Sequence, residues 1–291
     1  MLDLSALRAE WDDLLARRAS FRESLAIWTA VLDLWSRWNP QQVQTLRWSA
    51  DECRERWERG RPLLSDAPPP APVRELEELI GPMIEILAGV DTEEAEALRR
   101  FAELWDQGEV SLSMLLPGAG NKTGSSLQEL TGLSTDLVEF LAHGSLRPIL
   151  EGYFDAVRSS LAETGWGRGA CPFCGGAPAF ADLLESGQRR LACHLCGGAW
   201  TFARLKCPFC ENGNASDLVR LMAEEQEEGY FIEACRACLG YLKGIDRRLR
   251  WNAGSALVED WGSPHLDLIA SRQGYWRATP SLIHLARSED Q

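Results

Sequence analysis

Apolar positions in the first half of the chain recur with the period of an α-helix. Leu4, Leu7, Trp11 and Leu14 share one stripe, and Trp28, Val31, Leu32 and Trp35 another, before Pro40 interrupts. A second helical stretch over 41–59 carries Leu46, Trp48 and Trp57 and stops at Gly60, Arg61 and Pro62. The proline run at 67–72 favours an extended connection that no helix can cross, read as a long interhelical loop. Beyond it come Leu76, Leu79, Ile80, Met83, Ile84 and Leu87, then a helix opened by Asp91 or Thr92 with Leu98, Phe101, Leu104 and Trp105. The same period resumes at Leu127, Leu130, Leu137, Phe140 and Leu141, and again from Leu146 through Ile149, Leu150, Phe154 and Val157 to Leu161. Gly165, Gly167 and Gly169 close this helical domain, predicted to span residues 1–165. Tryptophans at helical spacing are read as packing between helices.

After the glycines the pattern changes. Leu183, Leu191, Trp200, Phe202, Tyr230 and Phe231 are spaced as ribbon strands need. A helical stripe returns in the tail with His265, Leu266, Leu268 and Ile269, leading to Gly274, Tyr275 and Trp276. The expected fold is α+β. Two four-cysteine ribbons, over 166–206 and 207–250, follow the helical domain, and a helical tail over 251–291 packs back on them.

Chemistry concentrates in the ribbons. Eight of the nine cysteines form four Cys-x-x-Cys pairs: Cys171/Cys174, Cys193/Cys196, Cys207/Cys210 and Cys235/Cys238. Two residues between thiols, with Gly175 and Gly197 after two of the pairs, suit a tight knuckle that aims both thiolates at one cation. Eighteen residues separate the first pair from the second and twenty-four the third from the fourth, so each run can be a hairpin returning one knuckle to the other. Two four-thiolate sites are predicted, for Zn²⁺ or a single iron, which the spacing does not distinguish. No pair is followed by His, which excludes covalent haem attachment, and the spacing is wrong for a compact ferredoxin cluster. A hairpin pair this short has too little core to fold without its cation, so replacing Cys193 or Cys196 with Ala is expected to unfold one arm while the helical domain persists. His194, between ligands, and His143, on a helix, are assigned no ligand role. Cys53 is read as incidental.

Composition narrows the function. The net charge of −13 argues against a duplex nucleic-acid binder. The charge is uneven: residues 166–251 carry eleven Lys/Arg against ten Asp/Glu, and the remainder is near −14. A competing reading, a nucleic-acid-binding zinc ribbon, would draw on Arg189, Arg190, Arg204, Lys206, Arg247, Arg248 and Arg250 as a small basic face. Glu224, Glu225, Glu227 and Glu228 read as a solvated turn. The N-terminus lacks the pattern of a secretory signal and no window is apolar enough to span a bilayer, so paired free thiols suit a reducing cytosol. The segment 117–124 resembles a phosphate loop, but Leu116 and Asn121 stand where its glycines are required, and a turn is the better reading. A thiol-disulfide enzyme would need a lone reactive pair. No nucleophile elbow, catalytic triad order or nucleotide loop is present, so no enzyme is expected.

Several strings together resemble the FdhE formate dehydrogenase accessory proteins. They are Cys171-Pro-Phe-Cys-Gly-Gly-Ala-Pro178, the block from Cys193 to Cys196 through Trp200 to Arg204-Leu205-Lys206-Cys207, Glu233-Ala234-Cys235 to Cys238 with Tyr241-Leu242-Lys243, and Leu266-Asp267-Leu268 with Gly274-Tyr275. In the helical half only Arg17-Arg18-Ala19 contributes. The resemblance implies two tandem rubredoxin-like or zinc-ribbon modules able to hold iron. It also implies a cytoplasmic maturation factor whose partner is the catalytic subunit of respiratory formate dehydrogenase. Departures from the pattern fall at Thr201, at the shortened acidic stretch Glu259-Asp260, and at Pro264-His265.

Overall fold

The computed structural model describes residues 3–38, 48–65, 73–89, 94–116, 125–155, 157–163, 165–222 and 228–281. Pro40, Leu46, the proline run, the helix start at Asp91 or Thr92, the 117–124 turn, and Glu224, Glu225 and Glu227 lie outside them. Helices α1 (Leu4–Arg17), α2 (Ala26–Arg37), α3 (Ala50–Glu58), α4 (Val73–Ala88), α5 (Ala95–Asp106), α6 (Leu112–Leu115), α7 (Ser125–Thr131) and α8 (Thr135–Asp155) form the first half. Their starts are legible locally. Asp3 accepts the amide of Ala6 at 3.0 Å to open α1, and Ser49 and Glu52 exchange hydrogen bonds in a capping box that opens α3.

Helix α8 is the axis of this half, buried on every side from Phe140 to Leu150. A β-carbon at Gly144 would collide with Sδ of Met83, so glycine is what lets α4 approach α8 this closely. Pro148 lies four residues on and lacks the N–H that would bond the Gly144 carbonyl. The indole Nε1 of Trp35 donates to that carbonyl at 2.7 Å instead, which satisfies a buried acceptor the helix cannot. Trp11, Trp28, Trp35 and Trp57 are all buried, as the helical spacing predicts.

The second half is one sheet. Strands β1 (Pro178–Leu183), β2 (Arg189–Cys193), β3 (Ala199–Phe202), β4 (Leu218–Met222), β5 (Tyr230–Cys235) and β6 (Gly240–Asp246) run in the order β3-β2-β1-β6-β5-β4. Each ribbon is an antiparallel meander, β1-β2-β3 and β4-β5-β6, and the two join where β1 pairs β6 in parallel, with Phe180 opposite Lys243 and Ala181 opposite Gly244. A short β7 (Trp276–Arg277) pairs the start of β6.

The tail forms α9 (Ala256–Trp261) and α10 (Pro264–Arg272), which bind the halves together. Trp261 stacks on Trp28 at 4.2 Å between ring centres, and Trp28 stacks in turn on Phe140 at 4.6 Å. On the other side a buried ionic network fastens α9, α10 and β7 to β6. Lys243 reaches Asp267 at 2.8 Å and Asp260 at 3.1 Å, Arg277 pairs with both carboxylates, and the Tyr241 hydroxyl donates to Asp267 at 2.8 Å. Burial opposes ionisation of Asp267, but the charges of Arg277 and Lys243 outweigh it and hold its carboxyl below the usual range. Removing one partner of such a network costs about 3–5 kcal/mol, because it strands a buried charge.

Candidate metal centres

The four knuckles converge two by two. Sγ atoms of Cys171, Cys174, Cys193 and Cys196 lie within 4.8 Å of one another, and so do those of Cys207, Cys210, Cys235 and Cys238. Across the first group Cys171 to Cys196 and Cys174 to Cys193 are each 3.5 Å apart; across the second Cys207 to Cys238 is 3.7 Å and Cys210 to Cys235 is 3.8 Å. A disulfide needs about 2.05 Å. Four sulfurs about 2.3 Å from one zinc or iron stand about 3.8 Å apart, so both groups fit a tetrahedral ion. The eight thiols are free.

Local backbone explains the convergence. In each knuckle an amide beyond a cysteine donates to its sulfur at 3.4 Å: Gly176 to Cys174, Gly198 to Cys196, Phe209 to Cys207, and Gly240 to Cys238. Such donors orient a thiolate and spread its charge. The turn also needs one left-handed residue just after each pair. Gly175 and Gly197 supply it in the first module, and Glu211 and Leu239, at φ of 58° and 59°, in the second.

The surroundings of the two groups differ. All four cysteines of the first are buried, and the helical half donates to the knuckle carbonyls from several directions. Trp57 Nε1 and the Leu63 amide donate to Pro172 at 2.8 and 3.0 Å, the Leu64 amide to Phe173 at 3.0 Å, and Arg147 to Cys193 and His194 at 3.2 and 3.1 Å. His143 Nδ1 donates to the His194 carbonyl at 2.5 Å, and its ring lies parallel to that of His194 at 6.3 Å. Burial first, and then the charge of Arg147, holds His143 well below the ordinary histidine pKa, so the imidazole is neutral. In the second group Cys210 is exposed and Cys238 half-buried. There Trp276 Nε1 donates to the Cys238 carbonyl at 2.7 Å, and its ring lies 6.0 Å from Phe209.

The thiols titrate as crowded sets. Burial pushes Cys171 and Cys174 well up, whereas at Cys193 hydrogen bonds from Cys171, Cys174 and Cys196 overcome burial and lower it. In the second set burial raises Cys207 and Cys238, and at Cys210 a backbone hydrogen bond at Asn212 and its neighbours' thiols overcome burial to lower it. A cation resolves such competition by taking all four as thiolates. Cys53 is packed in the helical core, where burial raises its thiol to about 11.

The basic face foreseen in the sequence is largely neutralised. Arg189 pairs with Glu233, Arg190 and Arg247 share Asp182, Arg248 pairs with Asp246, and Lys206 with Glu211. Trp57, read from the sequence only as helix packing, and Arg147 and Arg158, which the sequence reading passed over, hold the first knuckles through their carbonyls. The available signal was a charged Arg147 inside the otherwise apolar run of Leu146, Pro148 and Ile149.

Fold and donor sets together define a two-module protein in which each module gathers a four-cysteine group able to hold one metal ion. The fold is like that of an FdhE protein. It matches the crystal structure of the FdhE protein from Pseudomonas aeruginosa with a TM-score of 0.59 at 24% identity, over 99% of this chain and 98% of that one. In sequence the chain is 36% identical over 80 residues to a protein FdhE homolog of Stutzerimonas stutzeri. That stretch is 28% of this chain and only a quarter (25%) of the relative's length. No family model matches the chain. Among the described residues no helix is long and apolar enough to cross a membrane.

Proposed function

We propose that this protein is a cytoplasmic accessory factor in the maturation of a respiratory formate dehydrogenase, docking on the catalytic subunit through its two-metal region rather than performing catalysis. The eight cysteines, Cys171, Cys174, Cys193, Cys196, Cys207, Cys210, Cys235 and Cys238, would hold two ions, iron or zinc. The observation that carries the reading is the pairing of two convergent four-cysteine groups with a fold like that of an FdhE protein over nearly the full length of both chains. The overall charge of −13 supports a protein partner over nucleic acid.

In this reading the chain's own residues build a rigid presenting surface. Amides of Gly176, Gly198, Phe209 and Gly240 orient the sulfurs, and the buried first module anchors the second through the β1–β6 pairing. When bound, zinc would supply a fixed cross-link, and iron would add a one-electron couple. The exposure of Cys210 favours the iron version at the second module, since a partner can approach that sulfur. Co-purification from anaerobic lysate tests docking: the formate dehydrogenase catalytic subunit is expected to be retained, and its absence under low-salt, oxygen-free conditions overturns the proposal. Visible absorption of the same preparation tests the redox version. Thiolate-to-iron bands are expected, and zinc alone leaves docking without electron transfer.

A further inference from the structure

Between the two modules, beside the second four-cysteine group, lies a pocket of about 170 Å³ bordered by Arg204, Leu205, Phe209, Val219 and Arg220. Its charges do not cancel. Arg189 and Glu233, both on the wall, pair with each other at 2.5 Å, with Arg189 also donating to the carbonyls of Ala203 and Lys206. Lys206, also on the wall, pairs with Glu211 at 2.8 Å. Of the nearby carboxylates, Asp246 is taken by Arg248 and Asp217 accepts from Asn212 and Asn214. Arg204 and Arg220 are left with no carboxylate within ion-pair distance among the described residues.

Two arginines with no carboxylate at ion-pair distance among the described residues therefore border one small pocket, in a protein whose formal charge is −13. Arg220 is held flat by its own strand neighbourhood, its guanidinium 3.7 Å from the centre of the Phe231 ring. Burial holds it below the usual guanidinium pKa against the pull of Glu233 and Asp246, with smaller repulsions from Arg204 and Arg248 adding to the effect. A planar, pre-positioned guanidinium suits a carboxylate, which it can engage through two parallel N–H groups. Apart from these charged residues the walls are largely apolar, with Leu205, Pro208, Phe209, Leu218 and Val219, and Leu205 is 68% exposed.

We propose that this pocket is a carboxylate site that takes an acidic side chain of a partner polypeptide. Arg204 and Arg220 grip the carboxylate, and Leu205, Phe209 and Val219 cover the aliphatic carbons beside it. Its position against Cys207 and Cys235 sets that anchor next to the exposed metal module. The proposal rests on the accessory reading only in giving the polypeptide a source.

Fluorescence anisotropy with a labelled hexapeptide of alternating leucine and glutamate tests it without the client. The glutamate peptide is expected to bind, its glutamine counterpart to bind about tenfold or more weakly, and Arg204→Gln and Arg220→Gln each to cost about tenfold. Circular dichroism and metal content unchanged in both variants separate lost binding from lost folding. Equal binding of the two peptides, or indifference to both substitutions, overturns the proposal even if formate dehydrogenase still co-purifies. Failed co-purification with the peptide result intact overturns the accessory reading alone. Glutarate displacing the peptide at a similar concentration to the peptide's own dissociation constant would assign the site to a free dicarboxylate. Displacement by a single-stranded oligonucleotide at lower concentration would assign it to nucleic acid; either result overturns the polypeptide occupant.

Discussion

The two metal modules share a topology and a donor set, yet one is part of the protein's core and the other stands at its edge. Cys171, Phe173, Cys174, Cys193 and Cys196 belong to the same apolar cluster as Trp11, Trp35 and Phe140. The second module packs its strands against α10 through Tyr230, Ile232, Tyr241, Ile245 and Leu266, and leaves Cys210 in solvent. The backbone repeats the contrast. At the first module's left-handed positions stand glycines, and a β-carbon at Gly197 would collide with the Glu151 carboxylate. At the second stand Glu211 and Leu239, where a side chain in that region costs about 1–2 kcal/mol. One module is built to be closed and unstrained. Its twin keeps strain and access, which are the properties of a working surface.

Deleting a ligand from each module breaks or sharpens this contrast most. Cys193→Ala is expected to remove one metal equivalent and lower the melting temperature of the whole protein by about 10 °C or more, since metal affinity and shared core are lost together. The shared core thus extends to the helices a loss that the sequence alone confined to one arm. Cys210→Ala should also remove one equivalent, yet shift helical unfolding by only about 4 °C or less. Equal shifts in calorimetry would mean that both modules bear on the core alike.

A smaller effect follows from His143. The unfolded chain takes up a proton near pH 6.5, whereas the folded imidazole resists it well below that. The unfolded state then binds more protons, so stability falls as pH drops below about 6.5, by up to about 1.4 kcal/mol per pH unit. Denaturant titrations of wild type and His143→Gln between pH 7 and 5 should show the shallower slope in the variant. The smallest effect is conformational. Leu239→Gly should stabilise by about 1 kcal/mol by relieving the left-handed residue, while Gly197→Ala should destabilise by at least as much. Both read out in the same titrations, and a destabilised Leu239→Gly would show that no strain is held there.

Metal-site spacing is a local property, and it was legible: two residues between thiols and two hairpin-length gaps predict the pairing of Cys171 and Cys174 with Cys193 and Cys196, and of the later four with one another. The helical half was legible through its period, which carries into α8 at Leu137, Phe140, Leu141, Leu146, Ile149, Leu150 and Phe154, although burial of that helix on nearly all sides removes the polar face that usually marks one. What the residues could not announce is contact across long separations. Nothing near Pro148 says that Trp35 will serve the carbonyl it frees, nor does either ribbon say that β1 will pair β6 and fuse them into one sheet. The ionic network of Lys243, Asp260, Asp267 and Arg277 brings together residues from four separate elements and is buried, which no local pattern announces.

Timed metal release from oxygen-free protein, with the freed thiols trapped by an alkylating agent and mapped by mass spectrometry, bears most directly on the two-centre account. Two equivalents should leave in two phases, the fast one labelling Cys207, Cys210, Cys235 and Cys238 and the slow one Cys171, Cys174, Cys193 and Cys196. Release in a single phase, first labelling in the buried group, or cysteines that alkylate fully before any chelator is added would contradict it.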